Sequence, residues 1–124
     1  MRQLVMRLSL AVPLVVAAGL GLAGCGEEEK APHVDCAANT SRIPAFGQVT
    51  IWPTCTSCHS SSKTGAARNK APTDINFDAY DSAKAHAKQA SIQVNEGAMP
   101  NDKTPVTDEQ KQSLYLWALC GTPQ

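Results

Sequence analysis

The segment Cys55-Thr56-Ser57-Cys58-His59 constrains this chain more than any other. Two cysteines separated by two residues and followed at once by a histidine form the pattern of covalent haem attachment. Each thiol can form a thioether with one vinyl group of a single porphyrin, and His59 then follows where a ring nitrogen can bind the iron. The motif therefore predicts one haem c, attached through Cys55 and Cys58, with His59 as an axial ligand.

The same two cysteines have two other interpretations. A Cys-x-x-Cys pair can be a redox dithiol. It can also be half of a zinc site, but a zinc site needs a second pair of ligands at suitable spacing, and the sequence has none. The haem interpretation is favoured because the start of the chain indicates export, and covalent haem is attached outside the cytoplasm.

Residues 1–24 have the features of an export signal. Arg2 and Arg7 form a basic start, and residues 8–22 form an apolar run that is too short to span a membrane comfortably. Small residues then precede Cys25, as they precede a cleavage site. The signal predicts that the remaining chain lies in an oxidising compartment.

Leu22-Ala23-Gly24 before Cys25 resembles the bacterial lipobox, in which the cysteine thiol receives a diacylglyceryl group. Each buried methylene of the acyl chains adds about 0.8 kcal/mol to membrane binding, so several chains anchor a protein stably. The residue after Cys25 is glycine rather than aspartate, which favours the outer membrane, with the protein facing the periplasm. The alternative is an ordinary signal peptide with an incidental cysteine.

Residues 25–35 are predicted to form a flexible, lipid-anchored tether, and residues 36–124 one small domain. Loss of Arg2 and Arg7 with the signal would leave nine of the eleven basic residues against eleven acidic ones, a formal charge of −2. Haem propionates would make the protein more negative. This balance argues against nucleic acid as a partner, because nucleic-acid binding needs a strongly basic face.

Two of the five cysteines have no role in the anchor or in the haem motif. These are Cys36 and Cys120, and in an oxidising compartment they are predicted to form a disulfide that ties the start of the domain to the end of its last helix. Their separation of 84 residues would contribute about 4–5 kcal/mol in the chain-entropy model. The alternative is a pair of free buried thiols.

Met99 is the predicted second ligand of the iron. It is the only methionine beyond the signal, and it follows His59 by 40 residues in a loop marked by glycine and proline. A thioether sulfur is a soft, neutral ligand that favours reduced iron and raises its potential. His86 and His33 are the alternative ligands, although each is expected to be solvated.

Periodicity predicts short helices on both sides of these ligands. One is expected at about residues 45–52, ended by Pro53, and one at 78–89, capped by Asp78. A further short helix is expected at 91–95. The surest helix begins at the capping box 107–110 and runs to residue 120, and it is expected to pack against the helix that precedes the haem motif.

Residues 60–70 form a polar loop that carries Lys63, Arg68 and Lys70. The three cations beside the haem motif could help an acidic partner to dock near the haem edge. A solvated loop is the favoured interpretation.

The haem motif, the Gly97-Ala98-Met99-Pro100 loop and the terminal helix with Trp117 together resemble a small mono-haem class I c-type cytochrome. The lipoprotein-type cytochromes of Gram-negative bacteria are the most similar. They often show a Phe-x-x-Tyr segment and a Cys-Gly-x-Pro end, here residues 77–80 and 120–123. The resemblance implies an all-α domain wrapped around one haem. It also implies that the carbonyl of a proline, here Pro72, accepts a hydrogen bond from His59 Nδ1.

The expected function is single-electron transfer by a monomeric carrier between a protein donor and a protein acceptor, rather than enzyme catalysis. With His59 and Met99 both bound, iron would keep no open coordination position. Two other functions stay open. One is a peroxidase-like haem enzyme or small-gas sensor with a labile Met99 ligand. The other is a haem subunit of a larger respiratory complex.

Overall fold

The computed structural model describes residues 31–124, and the signal segment and Cys25 lie outside them. The described residues contain four α-helices and no strand, which confirms the all-α prediction. The helices are α1 (Trp52–Cys55), α2 (Tyr80–Ala85), α3 (Ala87–Asn95) and α4 (Asp108–Leu119), and short 3-10 helices occupy Thr40–Arg42, Phe46–Gln48 and Gly65–Arg68. Within residues 31–124, no helix has the length and apolar character needed to cross a membrane.

The prediction of one helix at residues 45–52 is wrong. The segment forms a 3-10 turn at Phe46–Gln48, and Val49 is then extended, with φ −70° and ψ 113°. Gly47 and the β-branched residues at 49–51 weaken a helix here, as their propensities imply. Pro53 does not end a helix but lies in the first turn of α1, where a missing N–H has no cost.

The helical stretch after residue 78 is divided differently from the prediction. α2 and α3 meet at His86, whose φ of −107° and ψ of 8° interrupt the helix, and α3 absorbs the separate helix expected at 91–95. Asp78 does not cap α2, because no side-chain cap is formed there and its carboxylate binds Ser60 and Ser61 instead. Gly97 follows α3 with φ +70°, as a residue past a helix end often does.

α4 begins with the predicted capping box. The Thr107 hydroxyl accepts from Gln110 N–H at 3.2 Å, and the Gln110 side chain accepts from Thr107 N–H at 3.0 Å. The predicted packing partner of α4 is wrong in part, because the helix that packs along it is α3. α4 reaches the segment before the haem motif through Trp117, which contacts Trp52 and Phe46.

Ring contacts link five of the six aromatic side chains into one cluster, in which the two tryptophans and Phe77 are buried and Phe46 and Tyr80 partly so. Trp52 stacks on Phe77 with ring centroids 5.4 Å apart, and its edge meets Trp117 at 5.2 Å. Phe46 contacts both tryptophans and Tyr80. Such pairs add about 0.5–1.5 kcal/mol each beyond the apolar area that they bury. The cluster joins α1, α2 and α4 to the segment after the haem motif.

Both ends of the described chain are fastened to this core. Cys36 and Cys120 form a disulfide, the pairing expected from the sequence. The carbonyl of Pro123 accepts from Phe46 N–H at 3.0 Å and from Trp117 Nε1 at 2.8 Å. The carbonyl of Thr122 accepts from the Tyr80 hydroxyl at 2.9 Å. The last residues therefore satisfy polar groups of the aromatic cluster.

Replacing Cys36 and Cys120 by serine is expected to lower the free energy of unfolding by about 4–5 kcal/mol, because an 84-residue loop in the unfolded chain is set free. Urea unfolding followed by far-ultraviolet circular dichroism measures this change. The single variant Cys36→Ser should lose as much as the double variant. An unchanged unfolding midpoint would show that the bridge contributes nothing to stability.

Candidate haem site

α1 places the first cysteine of the motif at its last residue. The chain then turns tightly, because the Cys55 carbonyl accepts from Cys58 N–H at 3.2 Å and from His59 N–H at 2.9 Å. The first turn is held by Thr56 N–H, which donates to the Trp52 carbonyl at 2.8 Å. These bonds gather Cys55, Cys58 and His59 on one short, helix-like segment.

The two motif cysteines are the free cysteines of the described residues. Burial raises the pKa of the Cys55 thiol to about 12, and a backbone hydrogen bond opposes this rise only in part. A redox dithiol instead needs a nucleophilic cysteine with a lowered pKa, and the shift at Cys55 runs in the opposite direction.

The His59 ring is held from two sides. Its Nδ1 lies 3.3 Å from the Ile75 carbonyl, and its ring meets Phe77 edge-on at 5.3 Å. The pKa of His59 lies below its ordinary value, chiefly because burial disfavours the charged ring. The positive charge of Arg68 lowers this pKa further, as does His86, whereas the hydrogen bond to Ile75 raises it. The lowered pKa favours the neutral ring. Because the Ile75 carbonyl can only accept, the contact at 3.3 Å places the ring proton on Nδ1 and leaves the lone pair of Nε2 for a metal ion.

The predicted role of Pro72 is wrong. The Pro72 carbonyl accepts from Arg68 Nη2, and the acceptor for His59 is Ile75, three residues further along the chain. Residues 72–75 form a turn in which Ile75 N–H donates to the Pro72 carbonyl at 3.4 Å. The turn brings the carbonyls of Pro72 and Ile75 to the same guanidinium nitrogen of Arg68, and the Ile75 carbonyl is the one that also reaches His59. Pro72 lines a cavity with Cys58 and His59, so it stays beside the motif without binding the ring.

Arg68 is buried, with only 3% of its surface exposed, although a solvated loop was the favoured expectation. Its guanidinium binds neutral oxygen atoms around the loop 60–76. The acceptors are Ala71 O at 3.2 Å, Ser60 O at 2.6 Å, Asn76 Oδ1 at 3.0 Å, Ile75 O at 2.9 Å, Pro72 O and, at 3.5 Å, Lys63 O. Lys63 and Lys70 stay at the surface or partly exposed, so Arg68 has to be removed from the predicted docking cluster.

Asp78 fastens the residues that follow the motif. Its carboxylate accepts from Ser61 N–H at 2.9 Å and from the hydroxyls of Ser60 and Ser61 at 2.7 and 2.9 Å. Slight burial acts to raise the pKa of Asp78, but these hydrogen bonds outweigh it and hold the pKa below its ordinary value. The backbone completes the link, because Phe77 N–H donates to the His59 carbonyl at 2.9 Å.

Met99 lies in the loop that leaves α3. The Gln93 carbonyl accepts from Ala98 N–H at 2.9 Å and from Met99 N–H at 3.1 Å, which ties the loop to the end of that helix. Across the opening, Asn69 Nδ2 donates to Asn101 Oδ1 at 3.2 Å. This bond joins the Met99 loop to the loop that follows Arg68.

Two cavities meet at the motif and Met99. One holds about 570 Å³ of space, open solvent at its mouth included, and both cysteines of the motif line it. The second holds about 470 Å³ on the same basis, and Phe77 and Ile75 belong to its wall. The residues common to both walls are Cys55, His59, Val94 and Met99.

The two alternative ligands differ in position. His86, expected to be solvated, is half-buried and lines the second cavity together with Met99 and His59. His33 is exposed and belongs to neither cavity wall. Of the two histidines, His86 is therefore the one that shares a cavity wall with His59 and Met99.

The donor atoms fit a c-type haem. Two free thiols, one imidazole and one thioether line two adjoining cavities with largely apolar walls, and these are the groups that such a haem requires. Residues 31–124 form no cluster of three or more histidine, cysteine, aspartate or glutamate side chains suited to hold a metal ion.

Comparison with known proteins found no match to any protein-family model, to any curated protein or to any solved structure.

Sequence reasoning missed three features of the site: the Ile75 carbonyl, the burial of Arg68 and the Asp78 link. An arginine in a run of polar residues gives no signal of burial, because its acceptors are backbone carbonyls that any sequence carries. Asp78 gives no local signal of this link either, because Ser61 and Ser60 lie 17 and 18 residues before it. Its position ahead of a helical stretch favours a helix cap instead.

Asp78→Asn is expected to destabilise the protein by about 1 kcal/mol at neutral pH, since an amide accepts the serine bonds less strongly than a carboxylate. A carboxylate with a lowered pKa stabilises above its unfolded pKa, and this contribution is lost as pH falls through the folded value. Urea titrations between pH 7 and pH 3 should therefore show a smaller loss of stability for Asp78→Asn than for wild type.

The matched control is Asp74→Asn, because Asp74 is also exposed and its carboxylate makes no hydrogen bond among the described residues. It should follow the wild-type pH dependence. Equal pH dependence in Asp78→Asn and wild type would contradict the assigned role of Asp78.

Proposed function

We propose that this protein is a membrane-anchored electron carrier with one covalent haem c. The observation that carries the proposal is the meeting of Cys55, Cys58, His59 and Met99 at the wall of one cavity. Cys55, Cys58 and His59 lie within five residues of one another, whereas Met99 follows 40 residues after His59, and the fold brings it to the same cavity wall. When bound, a c-type haem supplies a one-electron couple at its iron.

The chain's own residues have distinct roles in this proposal. Cys55 and Cys58 would hold the porphyrin through thioethers, and His59 and Met99 would bind the iron. Ile75 orients the imidazole and keeps the proton on Nδ1. If His59 and Met99 both bound the iron, a change of oxidation state would need little rearrangement, which is what fast electron transfer requires.

The surroundings of the site support a carrier rather than a hydrolytic enzyme. The Asp78 carboxylate is engaged by bonds to Ser60 and Ser61, the two residues that follow the motif. The Arg68 guanidinium, which shares the Ile75 carbonyl with His59, is enclosed by carbonyl oxygens. Neither is arranged as a nucleophile with its base.

The anchor belongs to the same proposal. A lipid on Cys25 would hold the domain at the periplasmic face of a bacterial membrane, the outer membrane being favoured, and residues 26–35 would separate it from the headgroups. Electrons would then pass between a protein donor and a protein acceptor that reach this surface.

The test is a redox-titrated absorption spectrum of the protein extracted from membranes with detergent. The expected result is a low-spin haem spectrum, a one-electron transition, and haem that stays with the polypeptide after denaturation. Cys55→Ser with Cys58→Ser should abolish covalent attachment. The matched control, Cys36→Ser with Cys120→Ser, alters the same number of cysteines and should keep the haem if the chain still folds.

A polypeptide that carries no haem after export would overturn the proposal. A haem that binds cyanide or carbon monoxide rapidly in the wild-type protein would favour a gas sensor or a peroxidase-like enzyme instead. Stable co-purification with a large respiratory complex would favour a subunit over a free carrier.

Met99→Ala is expected to lower the potential, because a thioether ligand favours reduced iron and axial ligands command a range of about 0.8 V. His86 lines the same cavity and can replace the lost ligand, so the double variant Met99→Ala with His86→Ala is the informative partner. The double variant should be high-spin and bind carbon monoxide, as absorption spectra would show. An unchanged spectrum and potential in Met99→Ala would remove Met99 as a ligand.

A further inference from the structure

Arg68 is a buried cation without a carboxylate partner in the described part of the chain. The ion pair that the structure shows among residues 31–124 is a surface contact of Lys111 with Asp108, and it does not involve Arg68. Burial of a charge is costly unless polar atoms replace its hydration, and here carbonyl oxygens and one amide oxygen do so. These acceptors leave the guanidinium with its full positive charge, because none of them is ionised.

The charge of Arg68 lies next to the predicted proximal ligand. Arg68 Nη2 donates to the Ile75 carbonyl at 2.9 Å, and the same carbonyl is the acceptor for His59 Nδ1 at 3.3 Å. One oxygen therefore serves two donors, of which the guanidinium is charged and closer. Charged donors form the stronger bonds, so the carbonyl has less capacity left for the imidazole.

The strength of the Nδ1–H bond controls the basicity of the other ring nitrogen. A strong acceptor makes the imidazole more electron-rich and stabilises oxidised iron, and a weak acceptor does the opposite. A positive charge held near the ring in a medium of low dielectric also disfavours the more positive, oxidised state of the metal. Both effects of Arg68 would favour the reduced iron.

We propose that Arg68 is a positioning residue that raises the reduction potential of the haem, by sharing the Ile75 carbonyl with His59 and by holding an uncompensated charge beside that ring. This inference rests on the proposed function. In this proposal the loop 60–76 has a function in tuning the haem, because it supplies the oxygen atoms that hold the charge of Arg68 in place.

The first variant is Arg68→Gln, which removes the charge. It is expected to shift the equilibrium for one-electron reduction about tenfold toward the oxidised protein, which corresponds to 59 mV. Arg42→Gln is the matched control, because Arg42 is exposed and binds only Asn39 among side chains. It should shift the equilibrium less than twofold. Arg68→Lys, which keeps the charge and loses the planar fork, should lie between Arg68→Gln and wild type.

The second variant keeps Arg68 in place and compensates its charge with a neighbouring carboxylate. Asn76 Oδ1 lies 3.0 Å from Arg68 Nη1, so Asn76→Asp creates an ion pair with almost no change of shape. It should also shift the equilibrium toward the oxidised protein. Gln48→Glu is its control, because that exposed side chain lines neither cavity and makes no hydrogen bond to Arg68. A carboxylate there can still accept from Ala45 N–H, so it adds the same charge in water. The shift for Gln48→Glu should be the smaller.

A spectroscopic measurement separates tuning from mere support of the fold. In the reduced protein the His59 Nδ1 proton resonance should move downfield in Arg68→Gln, because the Ile75 carbonyl then accepts one bond more strongly. A structural role alone predicts no such movement and no change of potential in a protein with an intact low-spin spectrum.

The outcomes are distinct. Wild-type protein without covalent haem overturns the proposed function. Haem-loaded Arg68→Gln and Asn76→Asp with unchanged potentials overturn the role of Arg68 and leave the carrier function intact. If Arg68→Gln fails to fold, Asn76→Asp decides alone, since it keeps every donor of Arg68, and an unchanged potential there overturns the inference.

Discussion

The contacts of Trp52 are the interaction on which the rest of the structure depends. Its ring lies between Phe77 and Trp117, and its Nε1 donates to the Phe46 carbonyl at 2.8 Å. Because Trp52 is also the first residue of α1, these contacts set where the helix begins and hence where Cys55 ends it. Phe77 carries the same constraint to His59, whose ring it meets edge-on. The aromatic core therefore fixes the position of the motif, although its rings are not themselves candidate ligands.

The sequence predicted those parts of the molecule that depend on local chemistry. The capping box at Thr107 needs only four neighbouring residues, and the structure forms it as expected. The pairing of Cys36 with Cys120 followed from counting cysteines in an oxidising compartment. The haem motif is a local pattern as well, whereas Met99 is singled out as the only methionine beyond the signal. The cavity brings them together, and their chemistry stays a proposal.

The parts that were predicted wrongly depend on contacts between distant segments. Pro53 reads locally as the end of a helix, but Trp52 is fixed by distant rings, and α1 starts there instead. The acceptor for His59 was assigned to Pro72 by resemblance, yet Arg68 occupies the Pro72 carbonyl and leaves Ile75 as the partner. Choices of this kind are decided by which of several similar backbone groups lies nearest after folding, and sequence patterns do not record that distance.

The two sides of the candidate site are held with unequal strength. The His59 side is tied by the Arg68 and Asp78 networks, by a backbone bond from Phe77 and by an aromatic contact. The Met99 side is held by turn bonds within its own loop, from Gly97 to Val94, from Ala98 and Met99 to Gln93 and from Lys103 to Pro100. Its bond to another loop is the exposed contact between Asn69 and Asn101. Bonds within one turn open together, so amide hydrogens around Met99 should exchange with solvent before those of Cys58, His59 and Ser61. The His59 side of the site is thus the more stable one, and any exchange of ligand or entry of a small molecule would begin on the Met99 side.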